Sequence, residues 1–321
     1  MQVLRIVLAI SVSATVSGVH AQSYPTRPVT LVVPAPAGGP TDVIGRQVAQ
    51  ALASQLGQNV IVENRGGAGN TIGTDHVAKA KPDGYTLVVG SPSSHAIAPS
   101  IYPRLPYDPV KDFSPVIGLV TAPLALVIHP SVPASTLKQF IALAKAKPGQ
   151  LNFGSGGSGT TSHLTGEYFN LAAVTRIVHV PYKGSGPATT DLMAGQIQMM
   201  FIGVHSSLPL MKTGKVRGLG VTSTKRSELA PELPTLSEAG LPGFHVNTWY
   251  GIFGPAGMPR EIVERLNAAL KTSLKDRAVR ERLTAQGFDI VPTTPEEFAL
   301  ALKEEIDIWA KVVKQAGAKA D

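Results

Sequence analysis

Cysteine is absent from this chain of 321 residues. That excludes every disulfide, every thiolate metal site and a lipid anchor carried on a cysteine. Aromatic residues are only 6% and charged residues only 16% of the sequence, and no low-complexity tract is present. A disordered charged arm is therefore excluded. The net charge of +7 is spread singly along the chain, without a basic stripe interleaved with aromatics. It speaks against nucleic acid as a partner and for solubility, or for a mild bias toward anionic ligands. No internal repeat of solenoid period is found. His95, His163, His179 and His205 show neither H-x-x-x-H nor H-E-x-x-H spacing, so no metal site and no cofactor is expected. No serine sits in G-x-S-x-G.

What is present begins with an export signal. Arg5 supplies a positive start, Ile6 to Val12 an apolar run, and Val19-His20-Ala21 a small-x-small ending. A bilayer span needs about 20 apolar residues, whereas Ser11, Ser13, Thr15, Ser17 and His20 dilute this one. Residues 1–21 are expected to be a signal peptide cleaved near Ala21, leaving a periplasmic protein.

After Ser23, short β-type runs alternate with helix-period stretches. Val29 to Val33, Val60 to Val62 and Tyr85 to Gly90 read as strands, with helices near Asp42–Leu56 and Thr71–Lys81. A proline-rich stretch from Pro99 to Pro115 interrupts the pattern. Beyond it, Val116–Val120 and Leu124–Ile128 read as two extended segments and Thr136–Lys147 as a helix. The alternation then restarts, with strands at Leu151–Phe153, Ile177–Val180, Met199–Ile202 and Arg217–Val221, and helices near Thr161–Leu171 and Ala188–Met193. Extended Val246–Phe253 leads to helices at Arg260–Leu274, Asp276–Gln286 and Pro295–Ala316. Strands alternating with helices predict parallel sheet. The restart predicts two α/β lobes: an outer lobe from 22–118 and 226–321, and a central lobe, 119–225, inserted into it. Hinges are expected near 115–123 and 221–227, with a ligand cleft between the lobes.

Four loops at strand ends could meet a ligand. In Pro34-Ala35-Pro36-Ala37-Gly38-Gly39-Pro40-Thr41-Asp42, two glycines permit close backbone approach and a helix start offers free N–H groups. Two readings fit: an anion site at Ala37, Gly38, Gly39 and Thr41, or a plain turn in which Thr41 or Asp42 caps the helix. Asp42 would repel an anion and is assigned the cap. The run Gly154 to Thr161 matches G-x-G-x-x-G between a strand and a helix. His179, Val180 and Pro181 stand where a ribose-binding acid belongs, and the Gly-Lys-Ser/Thr ending of a P-loop is missing. An anion cradle of N–H groups with the hydroxyls of Ser155, Thr160 and Thr161, Gly156 among its donors, remains beside the alternative of a structural turn. Ser91 and Ser93, after the third strand, face the crevice expected at strand ends. In the fourth loop Gly184 follows Lys183, which is either a carboxylate partner or merely solvated. With no Lys or Arg in the two glycine-rich loops, their N–H groups are expected to supply the main grip.

Seven motifs together resemble the extracytoplasmic receptors of tripartite tricarboxylate transporters, the Bug or TctC family. They are Pro-Ala-Gly-Gly-Pro-Thr-Asp (36–42), Pro-Asp-Gly-Tyr-Thr-Leu (82–87), Leu-Pro-Tyr-Asp-Pro-Val-Lys-Asp-Phe (105–113), Phe-Gly-Ser-Gly-Gly-Ser-Gly (153–159), His-Val-Pro-Tyr-Lys-Gly (179–184), Gly-Val-Thr-Ser (220–223) and Leu-Pro-Thr-Leu-Ser-Glu-Ala-Gly-Leu-Pro-Gly-Phe (233–244). The resemblance implies a bilobal type II periplasmic binding protein, α/β, with two doubly wound sheets joined by a hinge. It also implies a monomer that closes on a carboxylate and delivers it to membrane permease subunits, with no reaction catalysed. In relatives the loop matching Ala37 to Thr41 grips a carboxylate partly through waters. The loops around Ser155 to Thr160 and Lys183 to Gly184 add most of the rest. Ala98 stands where many relatives have Asn, and Ile202 where they often have Asp, so two polar groups at or near the cleft are expected to be missing. An exported α/β hydrolase and a ligand sensor for a signalling partner are the rival readings.

Overall fold

A computed structural model describes residues 24–318 of the chain. In order, its elements are β1 (Val29–Val33), α1 (Pro40–Leu56), β2 (Val60–Asn64), α2 (Thr71–Ala78), β3 (Thr86–Gly90), α3 (Ala98–Ile101) and β4 (Phe113–Ile128). Next come α4 (Leu137–Ala146), β5 (Asn152–Ser155), α5 (Thr161–Ala173), β6 (Val178–Pro181), α6 (Ser185–Met193), β7 (Met199–Gly203), α7 (Val204–Lys212) and β8 (Arg217–Val221). The last are α8 (Leu236–Ala239), β9 (Asn247–Pro255), α9 (Arg260–Ser273), α10 (Arg277–Ala285), β10 (Asp289–Ile290) and α11 (Pro295–Ala316). A short 3₁₀ turn (Ala68–Asn70) precedes α2, and a π turn (Pro92–Ile97) runs into α3. The signal-peptide reading, residues 1–21, lies outside the described residues.

β1 is apolar but for the half-buried Thr30 and is buried at all its other positions, which fits a strand covered on both faces. It pairs in parallel with β2 on one side and β3 on the other. β9 then adds antiparallel to β3, and β4 antiparallel to β9. The second sheet continues from the far end of β4. Leu124–Ile128 pairs with β7 along one edge and with β8 along the other, and β7 leads to β5 and β6 in parallel. Helices α1, α9 and α10 cover one face of the first sheet, and α6 and α7 one face of the second. The opposite faces share one buried cluster that runs from Val32 and Val88 through Phe253 to Phe153 and Phe201.

One correction concerns β4. The two extended segments expected at Val116–Val120 and Leu124–Ile128 are a single strand serving both sheets. Pro123 sits opposite Asn247, where the pairing with β9 stops and that with β7 begins at Leu124. A proline is tolerated at such a handover, where ladder pairing changes partner. The return crossing is clasped to the outgoing one. Leu124 N–H donates to Thr222 Oγ1 (3.0 Å), and Thr222 N–H to the Leu124 carbonyl (2.8 Å). α8 packs on β8 and α4, so the chain stays beside the second sheet past the expected crossing at 226. A second correction is α7, absent from the sequence reading. Its Pro209 reads as a breaker, yet the helix runs through it.

Candidate functional site

The loops at the carboxyl ends of the parallel strands converge. The Gly66–Asn70 loop lies against the start of the β1–α1 loop: a methyl group on Gly66 would stand 3.0 Å from Pro36. The same loop reaches the second sheet, since a methyl group on Gly69 would lie 3.5 Å from the Ser158 carbonyl oxygen. Tyr102 closes the seam from the side. Its hydroxyl would be 2.7 Å from a methyl on Gly69 and 3.3 Å from one on Gly159.

At the start of α1, Gly39 is the N-cap and Pro40 takes the first helical position. This corrects the assignment of the cap to Asp42. Asp42 instead lies in the first turn and reaches back, accepting from the Gly38 N–H (2.9 Å), Arg46 Nε (2.9 Å) and Asn64 Nδ2 (2.9 Å). Burial pushes its carboxyl up, but the bonds from Arg46, Gly38 and Asn64 outweigh this and hold it below the usual range. Gly38 has φ +84°, a left-handed conformation that glycine adopts without strain. Its N–H is spent on Asp42. The N–H groups of Ala37, Gly39, Thr41 and Asp42 have no acceptor in the described protein. Ala37 is exposed, while Thr41 is buried beside the Tyr250 hydroxyl.

The loop after β5 differs from the cradle expected of it. Gly156 N–H donates to Ser162 Oγ (3.2 Å), Gly157 N–H to Ser155 Oγ (3.1 Å), Gly159 N–H to His163 Nδ1 (3.2 Å) and Thr160 N–H to the Gly157 carbonyl (3.2 Å). These donors are satisfied within the loop and the first turn of α5, by their own hydroxyls, carbonyl and imidazole. Thr160 caps α5 through the His163 N–H. Ser155 is fully buried, with Oγ 2.6 Å from His179 Nε2. The His179 ring stacks on His163 at 3.8 Å, and His163 Nε2 faces Glu167 at 3.8 Å.

Gly184 N–H donates to the Gly156 carbonyl (3.1 Å), which fixes the β6–α6 loop against the β5–α5 loop. Lys183 is exposed on that loop. In the π turn after β3, Ser91 is buried, and its Oγ faces the next turn without a well-formed hydrogen bond. Ser93 is also buried, but its Oγ is bound to Thr161 across the seam. His95 is buried against Phe253, with rings 4.1 Å apart, and burial pushes its pKa down to about 3, so it is neutral.

The sequence profile of the tripartite tricarboxylate transporter family receptor matches residues 44–318. The chain belongs to this family. It is 38% identical to the protein BugT of Bordetella pertussis, over 99% of each chain. Among solved structures, R. palustris Rpa4515 with adipate superposes with a TM-score of 0.87 at 36% identity, covering 93% of this chain and all of that one. MatC (Rpa3494) from Rhodopseudomonas palustris with bound malate gives 0.83 at 38% identity, covering 90% and 100%. The mixed α/β fold is that of periplasmic binding proteins of this family.

Two parts of this receptor's seam were not singled out as ligand-site candidates in the sequence, the Gly66–Asn70 loop and Tyr102, while Thr161, His163 and His179 were named but not placed together. The glycines of 66–70 were visible, but their approach to Ser158 joins positions far apart in the chain. The two departures from the family pattern are core residues here. Ala98 is fully buried, and Ile202 packs among Ala125, Val127 and Met200. Among the described residues no helix is long and apolar enough to cross a membrane.

Proposed function

We propose that this receptor is a periplasmic protein that holds a small organic carboxylate in the seam between two lobes and passes it to tripartite membrane permease subunits. The lobes are those read from sequence, 22–118 with 226–321, and 119–225, except that the stretch through α8 goes with the second because it packs on β8 and α4. One observation carries the reading: the start of α1 presents unpaired N–H groups at the meeting point of the strand-end loops. Such a helix start favours an anion by hydrogen bonding and by its dipole. Because the β5–α5 loop spends its N–H groups internally, the grip is shifted toward Ala37, Gly39 and Thr41. Ser91 Oγ and Lys183 contribute from the other loops, and Ser155, Gly156, Thr160 and Gly184 shape the wall. The adipate and malate held by the two related structures make dicarboxylates the first class to try.

The protein acts as an exported monomer with no cofactor, its mature chain beginning near Gln22. Thermal unfolding with malate, adipate, citrate and nicotinate tests the ligand class. A carboxylate at a hundred times its Kd adds about 2.7 kcal/mol of stability, and the neutral amide of the same acid should add none. N-terminal sequencing of periplasmic protein should read from about Gln22, and an intact Met1 would refute cleavage.

One observation favours the rival hydrolase: the 2.6 Å contact between Ser155 Oγ and His179 Nε2. It is outweighed because Ser155 is fully buried and its Oγ also accepts the Gly157 N–H. Turnover of a generic ester that is lost in Ser155→Ala, with no carboxylate raising the unfolding temperature, would replace the receptor reading.

A further inference from the structure

Ser93 and Thr161 meet from opposite sides of the seam. Ser93 lies in the turn after β3, in the first sheet's half, and Thr161 is the first residue of α5, in the second's. Ser93 Oγ accepts the Thr161 N–H at 3.1 Å and lies 3.1 Å from Thr161 Oγ1. Only 5% of Ser93 and 8% of Thr161 is exposed, so water scarcely competes for these groups. α5 already has its own N-cap in Thr160, which serves the His163 N–H. Ser93 therefore supplies a second cap, to a different N–H, from another part of the molecule. Around this contact the seam is tight. Tyr102 lies beside Gly69 and Gly159, and Gly69 lies near the Ser158 carbonyl.

We propose that Ser93 is a positioning residue: it caps α5 across the seam and so latches the two halves in the closed form, instead of touching the ligand. The proposal rests on reading the two halves as lobes that move. A helix start is an anion site only while its N–H groups are free. Here the Thr161 N–H is withdrawn from the ligand and used for closure. The latch holds in the empty protein, and it stabilises the closed form equally for every ligand that closes the lobes. Opening must break the Ser93–Thr161 contact and expose a donor and two hydroxyls together.

The experiment uses the full mature chain without ligand. Since there is no native cysteine, Ser54→Cys on α1 and Lys145→Cys on α4, both at exposed positions, accept a dye pair, one dye in each half. Single-molecule energy transfer then reports the distance between the halves. The expected result is a predominantly short distance in the parent. Ser93→Ala should shift the closed-to-open ratio about ten-fold toward a longer distance, the effect of one lost buried hydrogen bond. Ser93→Thr, which keeps a hydroxyl, should restore the short population. Thr161→Val, which keeps the N–H but loses the hydroxyl, should fall between. A distance distribution unchanged in Ser93→Ala and in Thr161→Val overturns the latch, whether the parent is short or long. So does a parent that is already open. Failure of the parent to bind any carboxylate would count against the proposed function but leave this readout intact, so the two failures are distinguishable.

Discussion

Asp42 shows how one buried side chain organises a loop. Its carboxylate ties the Gly38 N–H, Arg46 and Asn64 together, and Asn64 Nδ2 also donates to the Ala35 carbonyl at 3.1 Å. Its pKa is depressed, so the native state holds fewer protons than the unfolded chain near the ordinary value of 3.8. The stability it adds is full above that value and drains away as pH falls through the lower, native one. Asp42→Asn should therefore cost about 2 kcal/mol at pH 7, and its deficit in thermal unfolding should shrink steadily below pH 4. A deficit that stays constant down to pH 2 would show that the charge is irrelevant. Gly39→Pro should weaken binding of any carboxylate that raises the unfolding temperature, because it removes a free donor. Calorimetric titration of the folded variant checks this, and unaltered affinity would place the grip elsewhere. The glycines of this loop were legible in the sequence. The use to which Asp42 is put was not, since Asn64 reaches it from the end of β2, a neighbour only in the folded sheet.

At the level of elements, α11 is fastened at its start and along its length. Thr294 and Glu297 exchange hydrogen bonds, Thr294 N–H to Glu297 Oε2 (2.7 Å) and Glu297 N–H to Thr294 Oγ1 (3.1 Å). This capping box was readable as Thr-x-x-Glu before a helix, and the observed helix spans the expected residues. Further along, Glu305 accepts the Trp249 indole N–H at 2.6 Å, which pins α11 to β9 beside the crossing strands. Burial pushes its pKa up to about 7, with the indoles of Trp249 and Trp309 pulling the other way. Here the native state holds the proton more tightly than the unfolded chain. Stability is thus full below the ordinary carboxyl value of 4.5 and declines as pH rises through about 7. Glu305→Gln should remove that decline, and its unfolding temperature should gain on the parent between pH 5 and pH 8. Parallel pH profiles of the two proteins would show that Glu305 does not titrate there. Periodicity located most strands and long helices, because their burial patterns are local. It missed α7, whose Pro209 mimics a helix end, and the continuity of β4, where Pro123 mimics a break.

For the molecule as a whole, the alternation of strands and helices and its restart after the proline-rich stretch made the α/β plan legible. The loops that converge were also legible singly, as glycine-rich turns at strand ends. What each does in the seam was not, because that depends on contacts between the halves: Ser93 with Thr161, and Gly69 with Ser158. Because the empty parent is held closed by the latch, small-angle scattering should show a smaller radius of gyration on saturation with a bound carboxylate in Ser93→Ala but little change in the parent. Equal shrinkage of the parent would mean that the empty protein is open, against the latch proposal.

The place of β9 has a consequence for how the chain is born. β9 lies between β3 and β4 in the first sheet, yet it follows every strand of the second sheet in sequence. The second sheet has all its strands once Val221 has emerged, whereas the first lacks a central one until Pro255. In a chain that emerges N-terminus first, whether from the ribosome or across a membrane, an interval separates the two. During it β3 and the first half of β4 offer unpaired edges to any passing strand. The part of the protein made first is thus among the last to be completed, and its hazard of mispairing lies in that wait, before any native unfolding.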